Sequence, residues 1–218
     1  MKDKLEFYIN GGWVQSQSNE KIEVINPANE DIIGHITAGT KEDINNAVDA
    51  AFQAFQTYQN TSKNERIEII NNILLEYDNR YQDLVDAITE EMGSPLWLSS
   101  KAQASTGVKN FNETLDALKE YQFEKKEGDY IIVKEPIGVI GMITPWNWPM
   151  NQITTKVSAA IAAGCTMVLK PSEISPYSAM LLAEIFDKAG VPNGVFNVVN
   201  GYGPTVGAAL SEHEKVDM

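Results

Sequence analysis

Val139-Ile140-Gly141-Met142-Ile143-Thr144-Pro145-Trp146-Asn147-Trp148-Pro149 is the stretch on which the fold turns. Five residues without a charge, Val139 to Ile143, read as a buried strand. Pro145 and Pro149 bias Thr144 and Trp148 away from helix, so a stiff, non-helical segment must follow the strand. Gln152 to Ala163 then reads as a helix with small residues on one face, and Met167-Val168-Leu169 as a second buried strand. Ser175-Pro176 is expected to cap and start a helix running to Lys188. Gly190-Val191-Pro192 stops it, Val195 to Val199 is a third strand, and Thr205 to Leu210 a further helix. Strands separated by helices of this length require a parallel sheet with right-handed crossovers.

Upstream the grammar differs. Phe7-Tyr8-Ile9 and Trp13-Val14 flank Asn10-Gly11-Gly12, a hairpin signal. Glu23-Val24-Ile25 and Ile32 to Ile36 read as strands around the turn Asn26-Pro27-Ala28-Asn29. Thr40 is placed to cap a helix whose apolar residues (Ile44, Ala47, Val48, Ala51, Phe52, Phe55, Tyr58) keep helical spacing. Ser62, with Glu65 three residues on, begins a second helix expected to end near Gly93-Ser94-Pro95. A less regular third covers Leu96 to Tyr121. Glu124 to Asp129 reads as a charged break, and Tyr130 to Val133 as a strand.

The composition narrows the function classes. A formal charge of −13 disfavours nucleic acid and anionic membrane as partners, since both reward basic surface. No apolar stretch reaches membrane-spanning length, and Met1-Lys2-Asp3-Lys4-Leu5-Glu6 has no apolar signal core, which points to the cytoplasm. Cys165 is the single cysteine and His35 and His213 the two histidines, so neither an intrachain disulfide nor a histidine-cysteine metal site is expected.

Three elements carry chemistry. Asn147 puts a side-chain amide at the carboxyl end of a strand, where open α/β sheets bind ligands. An uncharged donor there suits a developing alkoxide, although Asn147 could instead cap the next helix. Lys170-Pro171-Ser172-Glu173 follows the next strand; a carboxylate can accept from both hydroxyls of a ribose while the lysine adds a donor, or the loop is a solvated turn. Glutamate there would repel a 2′-phosphate, favouring NAD over NADP. Gly201-Tyr202-Gly203-Pro204-Thr205-Val206-Gly207 opens a helix after the third strand, and glycines there let backbone approach a pyrophosphate. Its Gly-x-Gly-x-x-x-Gly spacing departs from the usual dinucleotide fingerprint.

In order and spacing these three elements resemble the aldehyde dehydrogenase superfamily, along essentially the whole chain. Tyr8-Ile9-Asn10-Gly11-Gly12-Trp13, Asn26-Pro27, Glu135-Pro136-Ile137-Gly138-Val139 and Ala162-Ala163-Gly164-Cys165-Thr166 add to the likeness. The resemblance implies an α/β, Rossmann-like parallel sheet with flanking helices, preceded by short strands and a helical segment. It corresponds to the amino-terminal part of that fold: residues 1–123 as strands plus helices, 124–134 as an oligomerisation strand, and 135–218 as an incomplete dinucleotide-binding core, with the catalytic domain absent. It makes Asn147 the oxyanion-hole donor and Lys156 a proton relay. Ile143, Thr144, Pro145, Trp146, Lys170, Glu173, Gly203 and Gly207 would bind the cofactor. Asn151, Gln152 and Thr155 would line the substrate tunnel, their polarity hinting at a polar aldehyde.

The implied reaction is NAD-dependent oxidation of an aldehyde, by a homo-dimer or homo-tetramer. In the family a cysteine thiolate attacks the aldehyde and a glutamate activates water, and both lie further along than this chain reaches. Cys165 reads as a packing residue, so the chain alone is expected to be inactive, with an exposed sheet edge that promotes self-association. The alternatives are a non-catalytic nucleotide-binding remnant, or a helical interaction module built on residues 41–121.

Overall fold

The computed structural model describes residues 3–218; Met1 and Lys2, part of the amino-terminal reading above, lie outside the described residues. Strands β1 (Glu6–Ile9) and β2 (Gly12–Gln15) form a hairpin. Asn10 and Gly11 both have positive φ, 54° and 74°, the requirement of a type I′ turn. β3 (Lys21–Asn26) and β4 (Asp31–Thr37) make a separate antiparallel pair.

Helix α1 (Lys41–Tyr58) begins with a complete capping box: Asp43 N–H donates to Thr40 Oγ1, and the Asp43 carboxylate accepts from Thr40 N–H. Its Ile44, Ala47, Val48, Ala51 and Tyr58 are buried, whereas Phe52 and Phe55 are only partly so. Ser62 and Glu65 form the same box at the head of α2 (Lys63–Asn79). The expected single helix to Gly93 is in fact two. Arg80, at φ −109° and ψ 12°, leaves helical geometry and separates α2 from α3 (Tyr81–Met92). No glycine or proline marks that break. Arg80 instead pairs with Asp83, three residues on, and at 3.0 Å with Glu184 across the fold, the second a contact that local sequence does not announce.

The irregularity expected between Leu96 and Tyr121 is a short helix α4 (Leu96–Leu98), a wide turn over Ser99–Gln103, and α5 (Ala104–Glu120). The charged stretch from Glu124 is not a break. β5 (Glu124–Glu127) pairs with β6 (Tyr130–Val133) through a turn at Gly128-Asp129. Alternate charge along a strand is compatible with pairing when both faces meet solvent, and every residue of this hairpin is exposed.

The remainder is β7 (Val139–Ile143), α6 (Pro149–Ala163), β8 (Thr166–Lys170), α7 (Tyr177–Lys188), β9 (Phe196–Val198), a wide turn over Gly203–Gly207, and α8 (Ala208–Ser211). β7, β8 and β9 are parallel, and the amino-terminal hairpin extends them through an antiparallel contact of Tyr8 with Val198, giving the order β2-β1-β9-β8-β7. Beyond β7 the segment Val216–Met218 continues the sheet: Asp217 N–H donates to Val139 O and Gly141 N–H to Met218 O. A chain segment that crosses from the β9 side to the free side of β7 makes β7 the point where strand order reverses.

Strand alternation divides the core between the two faces. Phe7, Ile9, Val139, Val168 and Val199 pack with α1 and α8, in a cluster that includes Ile44, Val48 and Leu210. Tyr8, Met142, Met167, Leu169, Phe196 and Val198 face the larger core under α2, α3, α5, α6 and α7. Full burial of Ile44 or Val48 contributes roughly 1.5–3 kcal/mol each.

The link between α6 and β8 depends on Gly164. Its φ is +85°, and a Cβ would lie 2.4 Å from an Arg66 guanidinium nitrogen. That guanidinium is buried and held by Gln59 O (3.0 Å), Thr61 Oγ1 (2.9 Å) and Ala162 O (3.3 Å), so it has little room to yield. Gly164→Ala is expected to lower stability by about 2 kcal/mol. An unchanged denaturant midpoint would show that Arg66 relaxes freely.

Candidate cofactor site at the strand ends

The carboxyl ends of β7, β8 and β9 open on one edge of the sheet, and the candidate residues collect there. At the end of β7 the Thr144 N–H donates to Lys170 O at 3.2 Å, tying that loop to β8. Thr144 Oγ1 is buried without a hydrogen-bond partner among the described residues. Pro145, Trp146 and Asn147 are exposed, Trp146 by half.

Asn147 does not cap α6. The N-cap is Trp148, at φ −145° and ψ 69°, with Pro149 in the first turn and no side-chain capping bond. The two prolines hold this segment extended, as the sequence indicates, and the helix starts three residues earlier than its polar face suggested. Among the described residues the Asn147 carboxamide has no hydrogen-bond partner, so its donor is uncommitted.

Lys170 is the last residue of β8 and its side chain is 4% exposed, while that of Glu173 is 32% exposed. Lys170 Nζ donates to Glu173 Oε2 at 2.7 Å. Partial burial pushes the Glu173 carboxyl upward, but the hydrogen bond and charge of Lys170 outweigh it and hold the group below its ordinary value. The loop is therefore a built pair of a buried cation and a reachable carboxylate, not a solvated turn.

Gly203 is exposed, with open space where a Cβ would stand, and a Cβ on Gly207 would touch Ile143 at 3.6 Å. The third loop thus closes over the first. It offers close approach more than donors: the N–H groups of Thr205, Val206 and Gly207 all converge on Tyr202 O, and Pro204 has none. The expectation of a helix N-terminus open to an anion is weakened by that convergence.

Along α6 the other candidates separate. Asn110, on α5, donates from one amide nitrogen to Asn151 Oδ1 (3.2 Å), Thr154 Oγ1 (2.8 Å) and Thr155 Oγ1 (3.0 Å). Asn151 and Thr155 are therefore tied into the α5–α6 seam. Sequence reading missed Asn110, whose partners lie more than 40 residues away. Gln152 contributes backbone, its carbonyl accepting from Lys156 Nζ at 3.1 Å. Lys156, seven residues into the helix and about 10 Å along it, lines a cavity of about 600 Å³ together with Ile143, Cys165 and Met218. Cys165 is 2% exposed.

A second residue escaped the sequence. The start of α7 is not capped by Ser175, whose Oγ donates to Trp146 O at 3.4 Å. It is capped by Glu91 of α3, which is fully buried and accepts from Tyr177 N–H (2.6 Å) and Ser178 N–H (3.2 Å). Burial pushes the Glu91 carboxyl up to about 7, against the pull of those donors.

Strand order reversing at β7, and polar groups gathered at the carboxyl ends, define a Rossmann-like α/β protein. The family model described as "Aldehyde dehydrogenase family" matches residues 13–218. A putative aldehyde dehydrogenase of Staphylococcus aureus (strain USA300) is 53% identical over all 218 residues, which make up 46% of that relative. Among solved structures, an aldehyde dehydrogenase from Bartonella henselae superposes with a TM-score of 0.97 at 45% identity, covering 99% of this chain and 46% of that one. A mutant of aldehyde dehydrogenase C from Pseudomonas syringae, in complex with NAD+ and octanal, also gives 0.97, at 44% identity over 98% of this chain and 44% of that one. The chain belongs to the aldehyde dehydrogenase family, and it spans under half the length of these relatives.

Proposed function

We propose that this chain supplies the cofactor-binding part and the oxyanion donor of an enzyme that oxidises an aldehyde to a carboxylic acid with NAD. The observation that carries the reading is the Lys170–Glu173 pair, a buried ammonium fixed to a reachable carboxylate at the end of β8. The carboxylate would accept from the hydroxyls of the adenosine ribose, and the lysine would donate beside it. Ile143, Thr144, Pro145 and Trp146 would form one wall, and Gly203 and Gly207 the other. NAD, when bound, supplies the hydride acceptor.

Asn147 would steady the developing oxyanion with its free amide, a role that needs a donor held rigidly rather than a charge. Lys156 would relay a proton, and Asn151, Gln152 and Thr155 would wall the substrate tunnel. The exposed apolar strand from Tyr130 to Val133 supports self-association of the complete protein into a dimer or tetramer. A carboxylate at position 173 would disfavour the 2′-phosphate of NADP.

Calorimetric titration checks the cofactor half of this reading: NAD is expected to bind, and NADP more weakly. Absence of any NAD binding would refute it. With Cys165 buried, the purified chain is expected to form no NADH from NAD and an aldehyde. NADH production that disappears in Cys165→Ala would overturn that part.

A further inference from the structure

Glu91 is a fully buried carboxylate on α3, and core packing gives no reason for its charge. Its bonds supply one. Its two oxygens hold the first two amides of α7, Oε2 accepting from Tyr177 N–H and Oε1 from Ser178 N–H, and so bridge 86 residues of sequence. The loop running into that helix, residues 171–176, is the one that carries Glu173. On its other side the same loop is tied by Ser175 to the carbonyl of Trp146, next to Asn147. The loop is thus held at both ends, by β8 and by a helix start whose anchor is a single side chain from the helical segment.

We propose that Glu91 is a positioning residue for the Glu173 loop, and that its charge state sets how firmly the chain holds the dinucleotide. An ionised Glu91 is a charge-assisted acceptor at a helix N-terminus, where negative charge is favoured. A protonated Glu91 is a weaker acceptor, and the start of α7 loosens with the loop attached to it. Burial raises the carboxyl far enough for this change to fall near neutrality. Glu90 on the same helix opposes ionisation by its own charge. Facing groups on α7 are the buried hydroxyls of Tyr177 and Ser178, the second of which draws the Glu91 carboxyl downward by hydrogen bonding. The amino-terminal segment brings Asp3, which is bonded to His35 at 3.0 Å. Lys4, Arg80, Asp83, Asp86 and Glu184 line the adjoining cleft.

This inference rests on the cofactor reading above, and one experiment separates the two. The NAD dissociation constant of the full chain is measured between pH 6 and 8 for the wild type, Glu91→Gln and His35→Gln. Binding about fivefold weaker at pH 6 than at pH 8 is expected in the wild type and in His35→Gln. Glu91→Gln should be flat across that range. A flat wild-type profile, or a slope kept by Glu91→Gln, overturns the role of Glu91 and leaves the cofactor reading standing. Failure of NAD to bind at any pH overturns the cofactor reading and this inference with it. Should Glu91→Gln fail to fold, the backbone amide resonances of Tyr177 and Ser178 in the wild type decide: they must titrate with the midpoint of the binding curve, and constancy refutes the proposal.

Discussion

Lys170→Met is expected to weaken NAD binding about thirtyfold, the loss of roughly 2 kcal/mol that follows removal of one hydrogen bond to a charged group. Two effects combine. The ammonium that would donate to the ribose is gone, and Glu173 loses the partner 2.7 Å away that holds its carboxyl ionised in a partly buried place. Methionine fills the buried volume of the lysine stem, so the sheet should remain intact. Glu173→Gln should cost about tenfold, since the amide keeps one acceptor. The double variant should lose much less than the product of the two, because each single change already destroys the same pair. Calorimetry with circular dichroism as a folding check makes the comparison. Strictly multiplicative losses, or unaltered affinity in Lys170→Met, would remove the pair from the binding site.

The second large effect concerns stability and pH. A carboxyl raised from 4.5 to about 7 on folding binds more protons folded than unfolded between those values. Its contribution to stability is therefore complete below about pH 4.5 and is lost as pH climbs to 7. Denaturation of the wild type relative to Glu91→Gln isolates this one group from the other carboxylates. The wild type should lose on the order of 3 kcal/mol relative to Glu91→Gln across that window, with the difference constant above it. Parallel stability curves for the two proteins would mean that the helix amides compensate burial in full. The charge that costs stability is the one proposed to hold the cofactor loop, a tension common at functional sites.

Much of the fold was legible because its signals are local. Asn10-Gly11 dictates a type I′ hairpin, Thr40 with Asp43 and Ser62 with Glu65 dictate helix starts, and Pro145 and Pro149 keep the Asn147 segment out of α6. Each works within about four residues, through φ restriction or a side chain reaching its own backbone. The candidate site was legible for a related reason: its loops follow strands, and strand ends in a parallel sheet share one edge. Motifs far apart in sequence were thus placed on neighbouring loops.

Other features needed the folded chain. The break at Arg80 depends on an acid at position 184, and the start of α7 on an acid at position 91. The α5–α6 seam depends on Asn110 meeting Asn151 and Thr155. Glu124 to Glu127 became a strand because β6 offered a partner. Cys165 was read correctly as a packing residue from its small neighbours, yet only the tertiary structure shows that it shares a cavity wall with Lys156. Sequence by itself determined most of the order of strands and helices, the family likeness and the loops that bear chemistry, because those follow from short-range geometry and pattern. Tertiary structure alone decided that Asn147 leaves its amide free, that Lys170 is buried against Glu173, and that Glu91 anchors the helix beyond them. Hydrogen bonding and desolvation depend on which groups meet after the chain has folded, and no local pattern states that.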